Sequence, residues 1–304
     1  MSAEGLGCPG LTESRLRVLA ALVEARGAVS EAARIIGVTK QYVYEVLAKL
    51  RREGVRLRAY PYLSALGRVY AVISKREPPD NGLLAFRFRV YGFDGSTYAV
   101  GVYVLPRRMA WLSARLSGEL IEEVGDLLFA APWLDLSEVR PREGDALPRP
   151  PSLDLDEEDR IILLHLYEDL MAQITKASPS VSKSRLSYHY RFHVRRILQA
   201  LVDYHPRLLH CEPLLFAEVQ AAETWLAALL RARQVYAVMP KAGGGGAYAL
   251  LSGRDAYSLV RSLAEARERG LLPLAWRLRG YVDLEGCVKP RIPSALAQAG
   301  LRTP

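Results

Sequence analysis

The chain has 304 residues, half of them apolar, which is enough to bury the cores of two ordinary domains or of several smaller ones. Its 41 Lys and Arg against 33 Asp and Glu leave a net charge of +8, a mild excess that favours a polyanionic partner. Cys8, Cys211 and Cys287 lie far apart with no CxxC pair, which argues against a disulfide framework or a thiolate zinc site; with no membrane-length apolar run and no signal-peptide pattern, a cytoplasmic chain without membrane contact is expected.

In chain order, Thr12 and Ser14 can cap a first helix whose apolar positions Leu16, Leu19, Ala20, Leu22 and Val23 fall at helical spacing, ending at Gly27. A short helix from Glu31 to Ile36 stops at Gly37, and a third runs from Thr39 to Glu53, stopped by Gly54. Three helices with a glycine turn before the last predict a helix-turn-helix, and Arg56 to Tyr62 reads as an extended wing or exit strand. Strand patterns follow at 69–74, 86–93 and 97–105, the last two joined through Asp94 and Gly95 as a hairpin. A helix over Arg107 to Leu116 and a strand near Asp126 to Ala131 nearly complete a βαββαβ order, with Pro78 to Asn81 standing where its first helix belongs, so that helix is expected to be short or absent.

Four prolines and an acidic run interrupt the periodicity after residue 136 and mark a linker. Beyond it the order repeats with an offset of roughly 140 residues, matched by pattern and turn signals. Asp159 to Leu170 reads as a helix, Ala172 to Ala177 as a short one, Ser180 and Ser182 as a turn, and Lys183 to Val202 as a long basic helix. A strand at 214–219, a helix at 223–233, strands at 235–239 and 247–251, a helix at 255–269 and a strand at 274–282 give a full βαββαβ order, with Gly243 to Gly246 as its tight turn. Residues 284–304 carry no strong pattern and are expected to be a tail.

The starts of the two third helices carry the candidate chemistry, because a recognition helix reads base edges with its N-terminal residues while its flanks touch phosphates. In the first module these are Thr39, Lys40, Gln41, Tyr42 and Tyr44. Gln41 suits adenine, Lys40 guanine or phosphate, and the tyrosines phosphates or thymine methyls. In the second they are Ser182, Lys183, Ser184, Arg185, Ser187 and Tyr188, continued by Arg191, Arg195 and Arg196. Between Lys176 and Arg207 seven Lys or Arg face one acid, Asp203. A solvated basic face is the bland alternative, but its coincidence with both third helices favours double-stranded DNA.

The run from Val38 to Val55, VTKQYVYEVLAKLRREGV, resembles without gaps the recognition helix and exit of the leucine-responsive and asparagine regulator family (Lrp/AsnC, feast/famine), and Leu66-Gly67 with the following strand also fits. The resemblance implies an α+β, pseudo-dimeric single chain: two winged helix-turn-helix domains, each followed by a ferredoxin-like domain. The expected boundaries are 1–62 and 63–136, a linker at 137–153, then 154–208 and 209–283, and a tail at 284–304. Family members bind an amino-acid effector beside a glycine-containing turn with an acid soon after it. Here Ser96, Thr97 and Tyr98, or Ala247 and Tyr248, follow the turns instead, which argues against a small-molecule effector and leaves self-association through the sheets. Glu45 and Ala48 also stand where basic or polar residues are usual.

The function expected is a non-enzymatic, DNA-binding transcription regulator with no cofactor. Two alternatives stay open. One is a protein-interaction adaptor of the transcription machinery, which Glu45 and Ala48 suit. The other is a tetrapyrrole enzyme resembling the siroheme decarboxylases, disfavoured because residues 83–104 hold Arg89 and Tyr91 but no histidine. No metal is expected either: His189 and His193 have ligand spacing on one helix but no acid or cysteine nearby in sequence. The glycine run 243–246 lacks the spaced dinucleotide fingerprint, and the four tryptophans read as core. A single asparagine, Asn81, with heavy use of Arg, Leu and Ala points to a thermophile.

Overall fold

The computed structural model describes residues 12–106, 116, 118–131, 133–153, 155–203, 214–252, 256–268, 275–288 and 291–293. It is a mixed α+β structure with a large antiparallel sheet. Three helices open it: α1 (Glu13–Glu24), α2 (Val29–Ile36) and α3 (Lys40–Arg52), with Gly37 in the left-handed turn before α3 at φ 69°. Strand β1 (Arg56–Pro61) follows, then one helical turn, α4 (Leu63–Leu66). After the sheet strands of the first half come α5 (Glu157–Glu168), a 3-10 turn at Ile174–Lys176, and α6, which begins at Lys183–His189, widens into a π-turn at Tyr190–Val194 and ends at Arg195–Ile197.

The second long helix was expected to reach Val202, but it stops at Ile197 and Leu198–Asp203 is strand β7. The physical reason is pairing. β7 runs antiparallel to β1, with Ala59 opposite Ala200, so helical periodicity gives way to a two-stranded ribbon whose Leu198, Ala200 and Val202 are buried. Both three-helix units pack on this ribbon and share one core, in which Leu22, Val43, Leu47 and Leu50 of the first meet Ile162, Leu166, Leu186, Val194 and Ile197 of the second. Likewise the helix expected over Ala172 to Ala177 is only the 3-10 turn.

The large sheet holds β2 (Arg68–Ser74), β3 (Leu84–Gly92), β4 (Thr97–Leu105), β5 (Leu120–Val124) and β6 (Leu128–Phe129) from the first half. The second half contributes β8 (Leu214–Gln220), β9 (Val235–Pro240), β10 (Ala247–Ser252) and β11 (Ala275–Val288). Their order is β5-β2-β4-β3-β11-β8-β10-β9-β6, so each half shows the same fourth-first-third-second arrangement. β5 and β6 are one chain path: β5 pairs with β2, Val124 bridges to Lys241, Gly125 N–H donates to Pro240 O at 2.6 Å, and β6 pairs with β9. The sheet therefore closes on itself through two seams, β3 with β11 and β5–β6 with β9.

Alternation along the strands follows from this closure, because every strand has an inside and an outside. Val100, Val102 and Val104 of β4 and Phe216, Tyr248 and Leu250 of the second half line the inner core. Tyr103 and Leu105 point to the outer face of the first half. Leu215, Ala217, Val219, Ala249 and Leu251 face outward beneath α7 (Glu223–Leu229) and α8 (Ala256–Glu268). Gly280, opposite Gly92 on the β3–β11 seam and at a register shift in the β11–β8 pairing, has no room for a side chain: a Cβ there would lie 2.2 Å from Tyr91 O.

Other expectations shift. The last strand of the first half was placed at Asp126 to Ala131, but the structure has β5 and β6 on either side of Gly125–Leu127. Its acidic LIEEV text hides a strand because Glu122 accepts a hydrogen bond from Tyr248 Oη at 2.6 Å and pairs with Lys241 at 3.3 Å. Helix α7 stops four residues before Arg233. The supposed tail starts inside β11, and Arg291 N–H donates to Ala85 O at 2.8 Å. Residues 75–83 contain no helix. Most of the helix expected at 107–116, and residues 204–213 and 294–304, lie outside the described residues. Among the described residues, no helix is long and apolar enough to cross a membrane.

Candidate nucleic-acid interface

Helices α3 and α6 are each positioned by an N-cap. Thr39 Oγ1 accepts from Tyr42 N–H at 3.2 Å and Ser182 Oγ accepts from Arg185 N–H at 3.3 Å, so both residues act first as N-caps. Val43, Val46, Leu47 and Leu50 bury one face of α3, and Leu186, Val194 and Ile197 bury the matching face of α6. What remains outside is the predicted set: Thr39, Lys40, Gln41, Tyr42 and Tyr44 on α3, and Ser182, Lys183, Ser184, Arg185, Tyr188, Arg191, Arg195 and Arg196 on α6 are exposed, while Ser187 is half-buried.

Two candidate base readers already have acidic partners. Gln41 Nε2 donates to Glu45 Oε1 at 3.2 Å, and Arg185 pairs with Glu158 at 2.6 Å. α6 also carries an aromatic pair that the sequence reading did not assemble whole: Tyr188 and Phe192 are both more than half exposed with ring centroids 4.9 Å apart. The i,i+4 spacing of two aromatics on the polar side of a basic helix was the signal.

The geometry of the ribbon places the two helices. α3 leads into β1 at Arg56, whose partner is Asp203, and α6 leads into β7 at Leu198, whose partner is Pro61. The two helices thus enter an antiparallel ribbon at opposite ends, which five residue steps of strand set roughly 17 Å apart.

Beneath α6 lies a cluster of which only the two histidines stood out in the sequence. His189 Nδ1 is 3.0 Å from Asp159 Oδ1 and 3.2 Å from Asp156 Oδ2, and His193 Nδ1 is 3.1 Å from Asp159 Oδ2. The expectation that the two histidines lack an acid neighbour is corrected: the acids come from the N-terminus of α5, where Asp156 and Asp159 form a reciprocal capping box. The Asp-x-x-Asp spacing before an apolar run was the overlooked signal.

A cleft of about 540 Å³ opens elsewhere, between α1, β6–β7 and the linker. Trp133, Tyr62 and Phe129 form part of its wall, and Arg26, Arg142 and Arg231 reach it. Arg231 is held by Asp145 through contacts of 2.7 and 2.8 Å, and its hydrogen bond keeps the Asp145 carboxyl below the usual range. Burial pushes the Tyr62 hydroxyl up, with Arg26 acting against it. The linker expected at 137–153 thus packs as a wall, its Leu136 and Val139 flanks buried and Arg149 paired with Glu223 at 3.1 Å.

No family model and no curated protein matches the chain. Among solved structures it is similar to the siroheme decarboxylase NirDL in complex with an iron-uroporphyrin III analogue, at 12% identity and a TM-score of 0.43, over 83% of this chain and 84% of that one. One expectation falls with this finding. The chain was expected not to be an enzyme, and the solved structure it is similar to is an enzyme, so that exclusion is withdrawn.

Proposed function

We propose that the chain is a DNA-binding transcription regulator built as a tandem duplicate of the Lrp/AsnC plan, with a winged helix-turn-helix and a ferredoxin-like unit in each half. The observation that carries this reading is the presentation of two capped helices, each with a buried apolar face and an exposed polar or basic one, from opposite ends of one antiparallel ribbon. The repeated strand order, with its two-seam closure, supports the duplication. α6 supplies most of the electrostatic affinity through Arg191, Arg195 and Arg196, and α3 adds register. Because the two helix starts differ, the preferred target is two unlike half-sites about one helical turn apart rather than a palindrome.

Base-edge contacts specify and phosphate contacts position, so single substitutions separate them. Lys183→Ala or Arg185→Ala is expected to relax sequence preference by about 1–3 kcal/mol at one base position while leaving binding to random duplex nearly unchanged. Competition binding against single-base variants of a selected site reads this. Equal losses on every sequence would contradict the assignment of these two residues.

A second reading rests on the arginine-lined cleft alone: aromatic walls with guanidinium groups at the rim suit a planar, multiply carboxylated ligand of the tetrapyrrole class. Titration with iron-uroporphyrin is then expected to shift its Soret band saturably, and the shift to weaken in Arg142→Ala. An unshifted band with the wild type would remove this reading.

A further inference from the structure

We propose that Asp156, Asp159, His189 and His193 form a binding site for one divalent first-row transition-metal ion, seated between the N-terminus of α5 and the middle of α6. Each residue offers one ligand atom, and the four atoms lie within 4.8 Å of one another. The short contacts among them, 3.0 to 3.2 Å, already match the edge of a coordination polyhedron: metal–nitrogen and metal–oxygen bonds of about 2.0–2.2 Å give edges of roughly 3.0 Å in an octahedron and 3.4 Å in a tetrahedron.

Charge and proton counting favour an ion over a purely hydrogen-bonded cluster. Two imidazole Nδ1 atoms face three carboxylate oxygens, and His189 Nδ1 aims at two different carboxylates at once, which a single N–H cannot serve with good geometry in both directions. Asp159 has a fully buried side chain whose ion-pair partners among the described residues are these two imidazoles, supplemented by one long backbone donor, Asp156 N–H at 3.4 Å. A buried carboxylate needs a cation or a full set of donors, and a neighbouring carboxylate raises that demand. The nearby Arg185 is engaged by Glu158.

The backbone is shaped for the same purpose. α6 widens into a π-turn over Tyr190–Val194, inside which His193 falls, and the two imidazole rings stand 5.1 Å apart and nearly perpendicular. Asp159 closes the bottom, while Asp156 and His193 are partly exposed and give the ion a route in and room for water. Two imidazoles and two carboxylates without sulfur select zinc, cobalt, nickel, manganese or iron(II) over copper(I), calcium or magnesium.

Such an ion would tie α5 to the helix that carries Tyr188, Arg191, Arg195 and Arg196. That consequence for DNA rests on the proposed function; the site itself does not. The test therefore uses the full chain without DNA, titrated with Co²⁺ and followed by visible absorption, with Zn²⁺ competition and thermal denaturation beside it. Expected are saturable d–d bands at one Co²⁺ per chain, displacement by Zn²⁺, and a melting temperature raised by metal. His193→Ala and Asp156→Ser, the latter keeping a capping hydroxyl, are expected to fold and to weaken Co²⁺ binding by more than the 10- to 100-fold that loss of an outer-shell partner costs. The proposal is overturned by absent bands up to millimolar Co²⁺, by unchanged binding in both variants, or by thiolate charge-transfer absorption, which would place the ion on cysteine. With the site established, comparing DNA affinity of metal-loaded and stripped protein reads the regulatory consequence separately.

Discussion

Replacing Arg195 and Arg196 together by Ala is expected to flatten the salt dependence of DNA binding by about 1.8 in log–log slope, since each neutralised phosphate contributes about 0.9. Over a fourfold rise in salt, from about 50 to 200 mM, that difference changes the affinity ratio between wild type and variant by about 12-fold. The two side chains are exposed at the end of α6, with Ile197 between them and the shared core, so the double variant should keep its fold. The loss should be the same on specific and random duplex, because these residues are assigned to backbone rather than base contacts. Anisotropy titrations at several salt concentrations check both statements, and an unchanged slope would remove α6 from the electrostatic footprint.

The second large effect concerns the closed sheet. Phe88→Ala is expected to destabilise the chain by about 3–5 kcal/mol, the range for deleting a fully buried aromatic ring. Phe88 sits inside the ring of strands with no exposed surface, 5.1 Å from Phe86 and 5.4 Å edge-on from Phe216 across the two halves. Phe216 in turn stacks on Tyr248 at 5.5 Å, so the cavity would open where both halves share one core. Denaturant unfolding should show a single transition at a lower midpoint. Phe93→Ala, just past the end of β3 and about half exposed, should cost far less. Two transitions in Phe88→Ala, with one unmoved, would mean that the halves fold as separate units.

The helical units were largely legible in the sequence because their apolar spacing, caps and glycine stops agree: Thr39, Gly37 and Gly54 bracket α3, and Ser182 caps α6, as their text suggests. The strands at 68–74, 84–92, 97–105, 235–240 and 247–252 were also visible as β-branched and aromatic runs. What stayed hidden depends on contacts distant in sequence. Leu198 to Val202 continues an apolar pattern that reads equally as helix or strand, and only β1, some 140 residues earlier, decides for strand. The LIEEV strand is concealed by two acids: Glu122 finds its partner Lys241 in the other half, and Glu123 pairs with Arg68 on the neighbouring strand. The same limit applies to the sites: the exposed residues of α3 and α6 could be named from local pattern, whereas the Asp156–Asp159–His189–His193 cluster joins two segments thirty residues apart.

The proposed reading of DNA through two unlike helices is tested by fluorescence anisotropy of the purified protein on labelled genomic duplex, its own upstream region included, across about 50 to 300 mM salt. Expected is tight binding with a steep salt dependence that survives competitor DNA and footprints as two unlike half-sites about one turn apart. Absence of binding at the lowest salt would contradict it and leave the arginine-lined cleft as the seat of function.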